Sequence, residues 1–539
     1  MFRYRTRGRS LAIRGAKPAR TQAQMSKTVK VNGDARVLAI CVDSMSLDFA
    51  RAHLGRLPAL RTLLTADGAL KELTSPADRL TASVWVSFAT GAQPGAHGHY
   101  YPFQWDQEAM AFSRVSSPDW RARLPVEPFW HDLARRGVKT VAFDPGTPND
   151  AASAPHTEII NWSYQSSGAA SASDPALLAE LRRRFGRRPI GKEVPVPKTL
   201  AQSRRIRDDL IRSIEAKAEA ALWLMAREDW RFFLTAFYEI HRAGHNLLVV
   251  GGDFGSEADP DALLAVYEAQ DRALGRILEG AADANTTVIF FSLHGMEPNR
   301  AQDHFLAPLL ARLSGAWVAH REGAPAPARP ENLMARLRAA VPAHIQYSLA
   351  YLLGEHVQDW VVNRALTGGA DWSRTPVFRY ASGGEGYLRL NIKGRERQGC
   401  LDRDEVPGFV TWLKERLCEI RLPDSGGPLV RAIYDARDLY PGERAEYLPD
   451  LIIDYAPDEP AHAISSPAIG RLDAHLDTGR GGNHCGAAFM IVAGPGRTHA
   501  ATAEVRDIHD MRTFIESLLF DQSCAARTAA ESMPARSDA

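Results

Sequence analysis

A chain of 539 residues, 45% hydrophobic and 24% charged, has the make-up of a globular protein able to bury a large core. A formal net charge of +1 gives no electrostatic reason to expect a nucleic-acid or membrane-surface partner, and no uninterrupted apolar run is long enough to span a bilayer. Five scattered cysteines, Cys41, Cys400, Cys418, Cys485 and Cys524, form no CxxC pair, which argues against a disulfide framework and for reduced thiols in a soluble, cytoplasmic protein.

Residues 1–33 carry Arg3, Arg5, Arg7, Arg9, Arg14, Lys17 and Arg20, with no acid before Asp34. Organelle-targeting segments share this composition, but a disordered basic tail, or an overlong start ahead of Met25, is the preferred reading. Beyond it, short β-branched or aromatic runs recur: Arg36–Val42 (RVLAICV), Thr140–Phe143, Phe232–Tyr238, Thr286–Ser292, Leu451–Tyr455 and Ala487–Ala493. They read as continuously buried strands of a largely parallel sheet with helices on both faces. Helices are expected between them, at Pro260–Leu278 and Ala301–Leu313. Gly323–Pro330 (GAPAPARP) reads as a linker into a helix-rich segment containing Trp360 and Trp372. The expected organisation is α/β: one catalytic domain over 34–322 and 385–521, a helical insertion or cap over 323–384, and a disordered tail over 522–539.

Ligands of open α/β sheets bind beyond the carboxyl ends of the strands, so polar residues there are the candidates. Asp43 ends the first strand. Glu239, His241 and His245 follow the Phe232 strand, His294 follows the Thr286 strand, and a glycine-rich turn (Gly479 to Gly482) delivers His484. Four histidines and two carboxylates so placed suit zinc or manganese. The i, i+4 spacing of His241 and His245 puts both on one helical face, although Arg242 stands where a zinc protease would have its glutamate. Taken singly, Asp43 could cap a helix and His484 could steady its turn. Thr81 precedes the amphipathic run Ala82 to Ala89; it could be that helix's N-cap, or a nucleophile held near a metal and a helix N-terminus. The irregular GGDFG at Gly251–Gly255 lacks a P-loop lysine, and the basic run Arg182–Arg188 reads as a solvated helix end.

These residues resemble the type I phosphodiesterase/nucleotide pyrophosphatase branch of the alkaline phosphatase superfamily. The likeness is carried by VLAICVDSM (Val37–Met45), by LPALRTLLTADGALKEL and LTASVWVSFATGAQPGAHG between Leu57 and Gly98, by EIHRAGH (Glu239–His245), by FSLHGM (Phe291–Met296), and by PDLIIDY (Pro449–Tyr455) followed by GRGGNHCGAAFMIVAGPG (Gly479–Gly496). It implies an alkaline phosphatase-like αβα sandwich and a metal-dependent hydrolase of phosphate mono- or diesters. By the same resemblance Thr81 is the nucleophile and becomes covalently phosphorylated. Asp43, Thr81 and His294 would belong to one metal site, and His241, His245 and His484 to the other, with one or two divalent ions, zinc before manganese. The implied partner is a small-molecule phosphate ester. A transferase on the same site and a non-catalytic binding protein are the alternatives.

Three positions depart from the family pattern. Leu293 stands where the family has an aspartate before HGM, and His241 where it has another, so two anionic ligands are replaced by neutral groups. Glu239, Glu297 or Asp303 could compensate. Val84 occupies the place of an asparagine that in nucleotide pyrophosphatases helps bind a phosphate oxygen, which disfavours specific nucleotide hydrolysis. The nucleophile segment contains no cysteine, which disfavours a sulfatase.

Overall fold

The computed structural model describes residues 34–65, 69–163, 169–187, 189–190, 199–248, 259, 261–281, 283, 285–322, 360, 363–364, 366–367, 370–474, 480–498 and 500–520. The basic N-terminal segment, the GGDFG run, the Gly323–Pro330 linker, most of the 323–384 segment and the 522–539 tail lie outside the described residues. None of the described helices is long and apolar enough to cross a membrane.

An eight-stranded sheet organises the chain, in the order Ala69–Leu73, Ala488–Ala493, Thr286–Ser292, Arg36–Val42, Phe232–Phe237, Thr140–Phe143, Thr157–Ile160, Ser171–Ala172. The five strands from Thr286–Ser292 to Thr157–Ile160 are parallel. Every side chain of Phe232–Phe237 is buried, and all but the first of Arg36–Val42, because helices cover both faces of the sheet. Fold class and largely parallel sheet are therefore as expected, with two corrections. Ala488–Ala493 runs antiparallel between its neighbours. Leu451–Tyr455 does not join this sheet: it lies in a separate antiparallel one with Val377–Arg379, Gly386–Leu390 and Val430–Asp435. A run of apolar residues reports burial of a strand, not its direction or partner.

The smaller sheet has its own core, where Leu388, Leu390, Leu451 and Ile453 meet Leu309 and Leu313 of the helix Leu306–Glu322 and Phe409 and Leu413 of Val406–Cys418. The helix expected at Ala301–Leu313 begins later, after a short 3-10 turn at Asp303–Phe305, since Ala301 is tied to the Asn299 side chain. The helix expected at Pro260–Leu278 spans Ala262–Gly280. Its Asp271 accepts hydrogen bonds from Ala59 N (3.0 Å) and Leu60 N (2.8 Å), a cap supplied from another helix to the first turn of Pro58–Thr65. The helix Leu200–Arg227 is capped locally by Thr199, whose Oγ1 accepts from Gln202 N.

Candidate metal centre

The carboxyl ends of three adjacent parallel strands converge, and each delivers one piece of the centre. Arg36–Val42 runs into Asp43, Phe232–Phe237 into the helix Glu239–Leu247 with His241 and His245, and Thr286–Ser292 into His294. His484 arrives on the short strand Gly482–Cys485, which pairs with Gly295–Pro298 so that His484 lies opposite Met296. The glycines before it are required. A Cβ on Gly481 would sit 2.2 Å from Leu248 O, and one on Gly482 would sit 2.5 Å from Gly244 O, so only glycine lets this turn close on the histidine-bearing helix.

Five side chains meet. His241 Nδ1 lies 2.5 Å from Asp43 Oδ2, and His241 Nε2 lies 3.0 Å from His245 Nε2 and 2.8 Å from His484 Nε2. His294 Nε2 is 3.5 Å from Asp43 Oδ1. Two ligand groups result, His241 with His245 and His484, and Asp43 with His241 and His294. The expected division into two separate sets is thus not clean, because His241 belongs to both. It stands where the family pattern has an aspartate, and it uses one ring nitrogen on each side.

The protonation pattern decides whether a cation fits. Asp43 Oδ2 accepts, so His241 carries its proton on Nδ1; Gly482 O accepts from His245 Nδ1 at 2.9 Å, so His245 does the same. Burial pushes both rings below the ordinary histidine range, countered in part by Asp43 beside His241 and by Gly482 O beside His245, and burial depresses His484 as well. Neutral rings with protonated Nδ1 turn their Nε2 atoms inward, His241 3.0 Å from His245 and 2.8 Å from His484. Converging imidazole nitrogens are the arrangement in which a metal ion is held. The donor set fits such an ion. Burial alone would raise the Asp43 carboxyl, but His294 beside it and the hydrogen bonds from His241 and His294 hold it well below the usual carboxylate range.

Thr81 is buried in a 3-10 turn, Thr81–Ser83, that leads into the helix Val84–Thr90. It is not that helix's N-cap: its Oγ1 donates backwards to Ala77 O at 3.2 Å. Four residues on, Trp85 touches the centre: its Nε1 donates to Asp43 Oδ1 at 3.1 Å. Asp43 caps no helix either, since Ser46 caps Leu47–Ala52.

The compensating carboxylates are engaged elsewhere. Glu239 is fully buried and accepts from Ser213 Oγ and Tyr238 N. Asp303 pairs with Arg379, and Glu297 with Arg300. Leu293 is packed in the main apolar core. Cys485 belongs to neither ligand group.

Three residues were missed by sequence reasoning. Trp85 holds Asp43; its i+4 spacing from Thr81 was the available signal. Ser44 adopts a left-handed backbone (φ 62°) and places Oγ 3.2 Å from His294 Nδ1 and 3.2 Å from Gly295 O. Arg480, in the glycine-rich turn, is a cation close enough to depress His241, His245 and His484, its guanidinium reaching Gly383 O at 3.4 Å.

Comparison with known proteins agrees with the sequence resemblance. No curated protein matches the sequence. Among solved structures, phosphonoacetate hydrolase from Sinorhizobium meliloti 1021 is similar at 15% identity and a TM-score of 0.47, over 91% of this chain and 98% of that one. Murine ectonucleotide pyrophosphatase/phosphodiesterase 5 is similar at 11% identity and a TM-score of 0.42, over 85% and 88%. A mutant of the alkaline phosphatase PafA is similar at 12% identity and a TM-score of 0.47, over 86% and 92%. The family model for type I phosphodiesterase/nucleotide pyrophosphatase matches residues 37–452, most of the chain and every candidate metal ligand but His484. The chain belongs to the type I phosphodiesterase/nucleotide pyrophosphatase family of phosphoester hydrolases.

Proposed function

We propose that this chain hydrolyses phosphate mono- or diesters, with Thr81 as nucleophile and Asp43, His241, His245, His294 and His484 as metal ligands. The observation that carries the reading is the convergence of imidazole nitrogens on one point, with His241 Nε2 3.0 Å from His245 Nε2 and 2.8 Å from His484 Nε2. A divalent ion held there would neutralise the phosphoryl oxygens and acidify a hydroxyl brought beside it. Four imidazoles and one carboxylate are a nitrogen-rich set with only one anionic ligand, which favours zinc over manganese and one ion over two.

The chain's own residues do the rest. Asp43 fixes the tautomer of His241, Trp85 fixes Asp43, and Ser44 orients His294. Arg480 supplies a cation for an anionic ester. Thr81 gives its one hydrogen to Ala77 O, leaving the lone pairs of Oγ1 for phosphorus. Oγ1 then forms a bond to phosphorus, the ester P–O bond breaks, and the alcohol departs with the proton. Water cleaves the phospho-threonine and restores the hydroxyl. With Val84 in the asparagine position, simple esters should be better substrates than nucleotides.

The test is turnover of p-nitrophenyl phosphate and bis(p-nitrophenyl) phosphate, alongside metal content of chelator-free protein. Thr81→Ala should lower turnover by at least about 10³-fold while retaining bound zinc. Unimpaired turnover by Thr81→Ala would sink the covalent mechanism. Wild-type protein that stays metal-free after incubation with zinc would favour a binding protein, the reading that Leu293 supports. A product balance separates hydrolysis, which yields free phosphate from the monoester and p-nitrophenyl phosphate from the diester, from transfer to another acceptor.

A further inference from the structure

A second constellation sits on the far side of the Thr140–Phe143 strand and shares no residue with the centre above. His131 belongs to the helix Phe129–Arg135, Glu158 to the strand Thr157–Ile160, and His156 immediately precedes that strand. In extended chain, residues two apart project to the same side, so His156 and Glu158 face His131 together. One ligand atom from each of the three lies within 4.8 Å of the other two.

A purely structural role accounts for part of this. Glu158 is fully buried; its Oε1 accepts from Trp130 Nε1 at 2.8 Å, and its Oε2 accepts from His131 Nε2 at 3.0 Å and from Asn149 Nδ2 at 3.4 Å. Two features are left over. Both ring nitrogens of His156 are buried and have no hydrogen-bond partner among the described residues, although its ring packs 5.0 Å from that of His131. Asn149 Oδ1, an acceptor next to the same carboxylate, is equally unmet. An imidazole always carries at least one N–H or lone pair in need of a partner, and buried polar atoms in folded proteins find one. Among the described residues, the buried Glu158 carboxyl is met by an indole, an imidazole and an amide and by no lysine or arginine.

We propose that His131, His156 and Glu158 form a second divalent-metal site, of zinc class, with Asn149 Oδ1 or water completing the coordination. Two imidazoles and one carboxylate are a zinc donor set. The ion would take the idle nitrogen of His156, balance Glu158, and clasp the Phe129–Arg135 helix to the edge of the sheet. The partly exposed position of His156 leaves an entry route.

The experiment counts zinc by mass spectrometry in full-length protein reconstituted with zinc and passed through gel filtration. A His245→Ala/His484→Ala variant, disabled at the proposed catalytic centre, should keep about one equivalent, and adding His156→Ala should remove it. His156→Ala alone should lose the same equivalent while keeping p-nitrophenyl ester turnover within about twofold, which certifies its fold. Zinc should raise the Tm of the double variant and not that of the triple variant. Equal zinc in the double and triple variants, or none in the double variant with an unaltered Tm, overturns the second site without touching the catalytic reading. If His156→Ala does not fold, His156→Phe, which keeps the ring volume, is counted in its place.

Discussion

Two buried polar clusters occupy the carboxyl ends of neighbouring strands and are built on opposite plans. After Thr140–Phe143, Asp144 takes up a left-handed backbone (φ 64°) and accepts from Trp162 N (2.8 Å), Ser163 N (2.7 Å), Ser163 Oγ (2.6 Å) and Lys217 Nζ. Lys217, fully buried on the long helix, also reaches Ser163 Oγ at 2.7 Å and lies near Glu239, whose carboxylate is met by Ser213 and Tyr238. Each carboxylate is met by donors there, one cation is set between the two, and the network is closed. One strand over, after Phe232–Phe237, His241 and His245 meet His484 with their Nε2 atoms converging and a single carboxylate, Asp43, for company. Both clusters are largely buried, with His484 the most exposed member, so burial is not what sets them apart. The convergence of ring nitrogens does, and it marks the candidate metal centre.

The largest effect expected from that contrast is on stability, in the closed cluster. Lys217→Met leaves Asp144 and Glu239 buried without their cation, and breaking a buried pair in this way costs about 3–5 kcal/mol. Denaturant melts should show that loss, while zinc affinity per folded molecule stays near wild type. A variant that keeps its stability and loses its metal would reverse the assignment, making Lys217 part of the open cluster.

Acid should act on the open cluster. Burial lowers His241, His245 and His484, so their folded-state pKa values lie below the unfolded value of about 6.5. Above that value both states are neutral and no stability depends on pH. As pH falls through it, the unfolded chain takes up protons that the folded chain refuses, and stability declines until the folded rings protonate. The sign is therefore loss on acidification, by up to about 1.4 kcal/mol per pH unit for each histidine. His509, half-buried and raised by Asp507, contributes weakly in the opposite direction. Melts of chelator-treated protein from pH 7.5 to 5 (roughly one unit either side of the reference value) should show the decline, and His245→Gln/His484→Gln should flatten it. Identical profiles would mean that other buried histidines, such as His99, govern acid sensitivity.

How far the amino-acid sequence discloses this contrast follows from what each residue needs. Asp43, His241, His245, His294 and His484 were legible because they follow strands or a glycine turn, and strands are legible from apolar runs. Their sharing of His241 was not, since it depends on which ring nitrogen faces which strand. Leu451–Tyr455 was legible as a buried strand and not as a member of a second sheet, because hydrogen-bond partners leave no trace in a run of apolar residues. The Asp144–Lys217 network was invisible for a related reason: its members are 73 residues apart and each is ordinary in its local context. Of the two roles open to Thr81, capping the following helix is excluded, because its hydroxyl bonds the preceding turn.

The smallest effect separates strain from orientation at Ser44, the residue that joins the first strand to the open cluster. Its φ of 62° is one that L-residues other than glycine occupy at a cost of about 1 kcal/mol. Its hydroxyl lies 3.2 Å from both Gly295 O and His294 Nδ1. Ser44→Ala loses the hydroxyl and keeps the strain, whereas Ser44→Gly loses both. The glycine variant should therefore be the more stable of the two by roughly 0.5–1 kcal/mol, allowing for the extra freedom glycine gives the unfolded chain. Both should bind zinc about tenfold more weakly than wild type, because neither can hold the His294 ring in place. Equal stability of the two variants would remove the strain at Ser44, and wild-type zinc affinity in both would remove its role in orienting His294.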